Sequence, residues 1–149
     1  MARVSFVARR QARYLLVQAL YQWQITQTSA DELLAQFHLQ PQFAKADKAY
    51  FEAGLAAVMT QSDTIDQQFS LYLDRKLVEL DPIELTILRL ATYELTQRLE
   101  VPYRVAINEA LELAKIFGAT DSFKYVNGVL DQVSKQWRKS ELEVGHEAI

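Results

Sequence analysis

Four arginines, Arg3, Arg9, Arg10 and Arg13, are the only charged residues among the first 30 of this 149-residue chain. With 16 basic and 19 acidic residues in all, the net charge of −3 conceals a cationic start on an acidic body. A basic cluster at one end of an acidic chain is the electrostatic footprint of a local polyanion site. A second group lies towards the other end. In a helix turning about 100° per residue, Tyr125 stands about 200° round from Phe123 and so points away from the face its apolar neighbours bury. Lys124 adjoins it, and Asp121 and Gly128 share that outward side. A glycine inside a helix costs about 1 kcal/mol against alanine. Close packing against Gly128, by another helix or by a ligand, is therefore expected.

Residues for bond-making chemistry are missing. Cysteine is absent, which removes thiolate nucleophiles, disulfides and zinc–cysteine sites. The two histidines, His38 near a helix end and His146 in the tail, have no partners at metal-ligand spacing. Glu109 and Glu112 are followed by Lys115 where a di-metal carboxylate helix would carry histidine, so they read as a solvated face with Glu112 and Lys115 paired. Glycines at 54, 118, 128 and 145 are too scattered for a phosphate-cradling loop. The reading is of a protein that is no enzyme, with no cofactor and no metal.

The elements that position these residues are helical. Half of the residues are hydrophobic, with only four glycines and three prolines, and long stretches lack strand-like alternation, which indicates an all-α fold. Helix one, from about Ala8 to Ile25, carries a core stripe of Ala12, Leu16, Ala19 and Trp23. An opposed stripe of Arg10, Tyr14, Val17 and Tyr21 is flanked by Arg9 and Arg13. Such a helix is either central to a bundle or offers one side to a partner, a second copy of the chain included. Cations at its start oppose the macrodipole, so local stability does not explain them, whereas a phosphate backbone would. A linker at residues 26–31 leads to a short helix from about Ala30 to His38, then a helix from about Ala44 to Thr60, and a fourth capped by Ser62 or Asp63. LDRKLVEL reads as a short helix or turn. Asp81, Pro82 and Glu84 open helix five as cap, first and third residues of a capping box.

From Tyr103 to Trp137 the pattern is two helices broken at Gly118 and restarted at Thr120, Asp121 or Ser122. Tyr103, Ile107, Ala110, Ala114 and Phe117 form one apolar stripe, and Phe123, Val126, Leu130, Val133 and Trp137 the other. Both are expected to pack on each other and on a third helix. Beyond Trp137 periodicity fades, and residues 140–149 are expected as a flexible acidic tail. No apolar run approaches the roughly 18 residues of a membrane span, and no signal core precedes a cleavage site. The expected address is cytoplasmic, with no membrane association.

Three segments, ARRQARYLLVQALYQW, ILRLATYEL and VPYRVAINEALELAKIFGATDSFKYVNGVLD, span about residues 8 to 133. In them the sequence resembles the NusB family of bacterial transcription antitermination factors. The resemblance implies about seven helices in two three-helix subdomains, here about residues 8–75 and 76–139. It also implies a function: binding boxA, a short single-stranded RNA signal, together with the ribosomal protein NusE, within an RNA polymerase antitermination complex that supports processive transcription of ribosomal RNA operons. By the same resemblance Arg9, Arg10, Arg13, Phe117, Asp121, Lys124 and Tyr125 correspond to the RNA-binding surface, and Tyr21 and Glu84 to the NusE surface. The rival reading is a purely protein-binding helical adaptor whose arginines serve an acidic partner. A methyltransferase reading would need a Rossmann-like domain and its glycine loop, which are absent from these residues.

Overall fold

The computed structural model describes residues 5–147, with side chains as far as Glu143. Arg3 and the side chain of His146 fall outside that range. Eight α-helices and two 3₁₀ turns make up the described chain, and no strand occurs among the described residues. The fold is all-α, with one helix more than expected. The chain divides into two compact units between Ser62 and Asp63, earlier than the expected boundary near residue 75.

In the first unit, α1 (Phe6–Thr26) packs chiefly on α3 (Lys48–Thr60), with α2 (Ala30–His38) and a 3₁₀ turn at Pro41–Lys45 completing the core. Ser5 accepts the Ala8 N–H at 3.0 Å, which starts α1 two residues before the apolar periodicity begins. Ser29 caps α2 by accepting from the Glu32 N–H. The helix expected from Ala44 begins only at Lys48, because Asp47 accepts the Tyr50 N–H at 3.0 Å while its own N–H bonds to the Ala8 carbonyl. Pro41 winds the preceding residues into the 3₁₀ turn and sets Phe43 edge-on to Phe51, with centroids 5.2 Å apart.

The middle of α1 is buried on nearly every side. Ala12, Arg13, Leu15, Leu16, Val17, Ala19 and Leu20 are all inside. This corrects the second stripe as an open face: Val17 is in the core, Tyr14 is half-buried, and only Arg10 and Tyr21 are exposed. Helix one is the central helix of its unit.

The second unit holds α4 (Ser62–Ser70), a 3₁₀ turn at Leu77–Glu79, α5 (Pro82–Gln97), α6 (Tyr103–Phe117), α7 (Ser122–Trp137) and α8 (Lys139–Glu147). As expected, α6 and α7 pack on each other and both pack on α5. All but the first residue of α4 belong here, where Asp66 accepts two hydrogen bonds of 2.8 Å from Arg89 of α5. A carboxylate this buried requires such a fork.

Three readings change. Glu109 is buried, because Ala106, Glu109, Ala110 and Leu113 recur at i, i+3, i+4 and i+7 on the inner side of α6. Glu112 remains outside and pairs with Lys115 at 3.5 Å. Trp137, expected in the core, is 45% exposed. The inner place at that end goes to Arg138, which donates to the carbonyls of Leu95, Glu94 and Arg98 at the α5 C-terminus, the last two also accepting the N–H groups of Arg98 and Val101 respectively. Finally, most of the tail expected at residues 140–149 is helical, within α8 (Lys139–Glu147). Its anchor is Glu141, which accepts from Arg138 Nη1 at 2.6 Å with one oxygen and from the Tyr103 N–H at 2.8 Å with the other. One carboxylate thereby caps α6 and ties down α8.

Candidate nucleic-acid interface

The three arginines at the start of α1 occupy three different environments. Arg10 is exposed, its guanidinium 4.9 Å from the centre of the Phe6 ring. Arg9 is half-buried, 4.3 Å from the Tyr50 ring and 3.5 Å from the Asp47 carboxylate. Arg13 is only 2% exposed and stands 5.4 Å from the same ring. One tyrosine thus faces two cations, and cation–π attraction with the Asp47 charge offsets the repulsion of like charges against the helix dipole. Burial corrects Arg13 as a surface cation: it packs within the fold, and Arg10 is the residue of the three that presents its charge to solvent.

At the break between α6 and α7, Gly118 ends α6 in an extended conformation, its N–H bonded to the Ala114 carbonyl at 2.8 Å. A Cβ built there would lie 2.7 Å from that carbonyl oxygen and 3.1 Å from Ser122 Cβ. Close approach, and not left-handed backbone, is what demands glycine. The left-handed residue is Asp121, with φ of 69°, which starts α7 without capping it through its side chain. Its carboxylate pairs instead with exposed Lys124 at 3.4 Å. Non-glycine residues in this region carry strain and concentrate at functional sites. A shallow cleft of about 230 Å³ opens at the break, lined by Lys115, Gly118, Ala119, Thr120, Asp121 and Phe123. Lys115 lies 5.0 Å over the Phe123 ring, and Phe117 is half-buried at the end of α6.

Tyr125 is not the free ring the sequence suggests. It is half-buried, and the guanidinium of Arg75 sits 4.3 Å from the ring centre. Asp74 holds that guanidinium by a two-point pair, Nε to Oδ1 at 2.7 Å and Nη2 to Oδ2 at 3.3 Å. The Arg75 hydrogen bond keeps the Asp74 carboxyl below the usual carboxylate range. The Tyr125 hydroxyl is buried beside Asp74, and that burial, opposed by the Asp74 backbone and reinforced by the Asp74 carboxylate, raises the phenol above its ordinary value. Nearby, Glu84 is half-buried and accepts a 2.8 Å hydrogen bond from the Ser122 hydroxyl. Asp81 does cap α5, taking the N–H groups of Ile83 and Glu84. The carboxylate of Glu84, however, reaches across to α7 and does not close the box on Asp81. Gly128 has nothing within 4 Å of a built Cβ, so among the described residues no other helix uses the space it clears.

Sequence reasoning missed Asp74, Arg75 and Ser122. The first two lie about 50 residues from Tyr125 in a segment of mixed polarity, where neither period nor motif marks them. Among the described residues no group of histidines and carboxylates could hold a metal ion, and no helix is long and apolar enough to cross a membrane.

Comparison with known proteins extends these observations. The NusB family description matches residues 10–135. The transcription antitermination protein NusB of Alcanivorax borkumensis is 52% identical over 134 residues, covering 90% of this chain and 89% of its own. That of Idiomarina loihiensis is 50% identical, covering 88% and 94%. Among solved structures, T. maritima NusB superposes with a TM-score of 0.80 at 31% identity, over 91% of this chain and 96% of its own. The matched span includes Arg10 and Arg13 of α1 and the whole α6–α7 break, and on this evidence the chain belongs to the NusB family.

Proposed function

We propose that this chain is a noncatalytic transcription antitermination factor. It takes up boxA-type single-stranded RNA together with NusE and, within an RNA polymerase antitermination complex, supports processive transcription of ribosomal RNA operons. The observation that carries the reading is near-full-length identity of about half to proteins bearing that name, with a family match whose span includes Arg10 and Arg13 of α1 and the α6–α7 break.

The chemistry of the two regions supports it. Arg10, with Arg9 behind it, offers cations to a phosphate backbone, releasing counterions as they are neutralised. Around the break, Lys124 supplies a charge beside Tyr125, whose ring carries the Arg75 guanidinium, and cations next to planar π-groups suit unstacked bases. Phe117 and Asp121 shape that segment, the first at the end of α6 and the second through its left-handed turn and its pair with Lys124. Arg13 supports the arginine cluster from within. Exposed Tyr21 and half-buried Glu84 are the proposed NusE contacts.

The test is a fluorescence-anisotropy titration of a boxA-like RNA against a scrambled RNA, with and without NusE. Preference for the boxA-like strand, strengthened by NusE, is the expected result. Equal or absent binding of both strands even with NusE would leave the protein-only adaptor.

A further inference from the structure

The ring of Tyr125 is covered, and the group that covers it is itself suited to the same ligand. The Arg75 guanidinium lies 4.3 Å from the ring centre, yet its side chain remains 40% exposed, so it keeps an outward side. Two of its nitrogens, Nε and Nη2, are engaged by Asp74. Nη1 makes no hydrogen bond within the described chain and retains two N–H donors.

Displacing this group to bare the tyrosine would break a two-point charge-assisted pair and a cation–π contact at once. Using it costs neither. Guanidinium planes accept unstacked bases as aromatic rings do, and the Asp74 fork fixes the plane before any ligand arrives, which lowers the ordering cost of binding.

We infer that Arg75 is an RNA-contacting residue: a base of the single-stranded RNA stacks on the outer side of its guanidinium, which Tyr125 supports from beneath and Asp74 holds in place. Nη1 is then free to donate to a phosphate or to a base edge. This inference rests on the RNA-binding reading proposed above. It gives Tyr125 a supporting place in the stack and assigns the contact to a residue of the loop between α4 and α5.

The experiment is a set of anisotropy titrations with one boxA-like RNA and NusE present, using wild type, Arg75→Ala, Arg75→Lys, Tyr125→Ala and the Arg75→Ala/Tyr125→Ala double variant. Circular dichroism melts confirm that each is folded. Arg75→Ala and Arg75→Lys are both expected to weaken binding about 5- to 150-fold, the span of one base stack, since lysine restores the charge without the plane. The double variant is expected to bind no more weakly than Tyr125→Ala alone, because both residues act through one stack. Wild-type affinity or better in Arg75→Ala would show that Arg75 merely covers the tyrosine and would overturn the inference. Full affinity in Arg75→Lys would reduce it to a charge contact and overturn the stack. If the wild type itself binds no RNA, the functional reading fails first and the inference with it.

Discussion

Arg13 and Arg10 stand one turn apart on α1, yet the first is 2% exposed beside the Tyr50 ring and the second is open to solvent. Their alanine variants should therefore fail differently. Arg10→Ala is expected to leave the melting temperature within a degree or two, to weaken binding to every RNA alike, and to flatten the dependence of log K on log salt by about one unit. Arg13→Ala, which truncates a buried and packed cation, is expected to cost about 2–4 kcal/mol in urea unfolding. A stable Arg13→Ala with a pure binding defect would contradict this division.

The two glycines of the α6–α7 region predict opposite signs. Gly118→Ala sets a Cβ 2.7 Å from a backbone oxygen that cannot swing aside, and about 1–3 kcal/mol of destabilisation is expected. Gly128→Ala meets nothing within 4 Å and should stabilise α7 by about 0.5–1 kcal/mol through helix propensity. Thermal melts of both single variants check this directly.

Tyr125→Phe removes a buried hydroxyl that lies beside Asp74 without a well-formed hydrogen bond. Because burial strips the hydroxyl of water and the fold returns at most a weak contact with Asp74, its loss is expected to be neutral or to stabilise by up to about 1 kcal/mol. A loss exceeding 1 kcal/mol in chemical unfolding would mean the hydroxyl has a partner.

Arg138 secures the end of α5 and the start of α8 together. Arg138→Ala removes the side-chain donor to the carbonyls of Leu95, Glu94 and Arg98 and to one oxygen of Glu141; Glu94 and Arg98 keep a backbone donor and Glu141 keeps the Tyr103 N–H. About 3 kcal/mol of destabilisation is expected, and amide hydrogen exchange should show faster exchange at Tyr103, whose N–H depends on Glu141. Unchanged protection at Tyr103 would show that the carboxylate holds its place without the arginine.

Periodicity and capping made much of this fold legible. The α2 bounds, the Asp81–Pro82 start of α5 and the paired helices broken at Gly118 were all readable, because each is written in neighbouring residues. The burial of Glu109 and Arg13 was not, since a charged residue on an inner face is indistinguishable from a solvated one until its surroundings are known. The α8 helix escaped for a related reason: its hold is one carboxylate on the Tyr103 amide, 38 residues away in the chain. In the candidate site the resemblance supplied Arg10, Lys124 and Tyr125. The pairing of Tyr125 with Arg75 joins residues 50 apart and has no sequence signature.

The most direct test follows amide signals of the isotopically labelled protein by NMR as boxA-like RNA is added. Shifts at Arg9 and Arg10, and at Arg75 and residues 119–128, are the predicted result. An unperturbed spectrum, or shifts confined to other helices, would contradict RNA binding at the sites argued here.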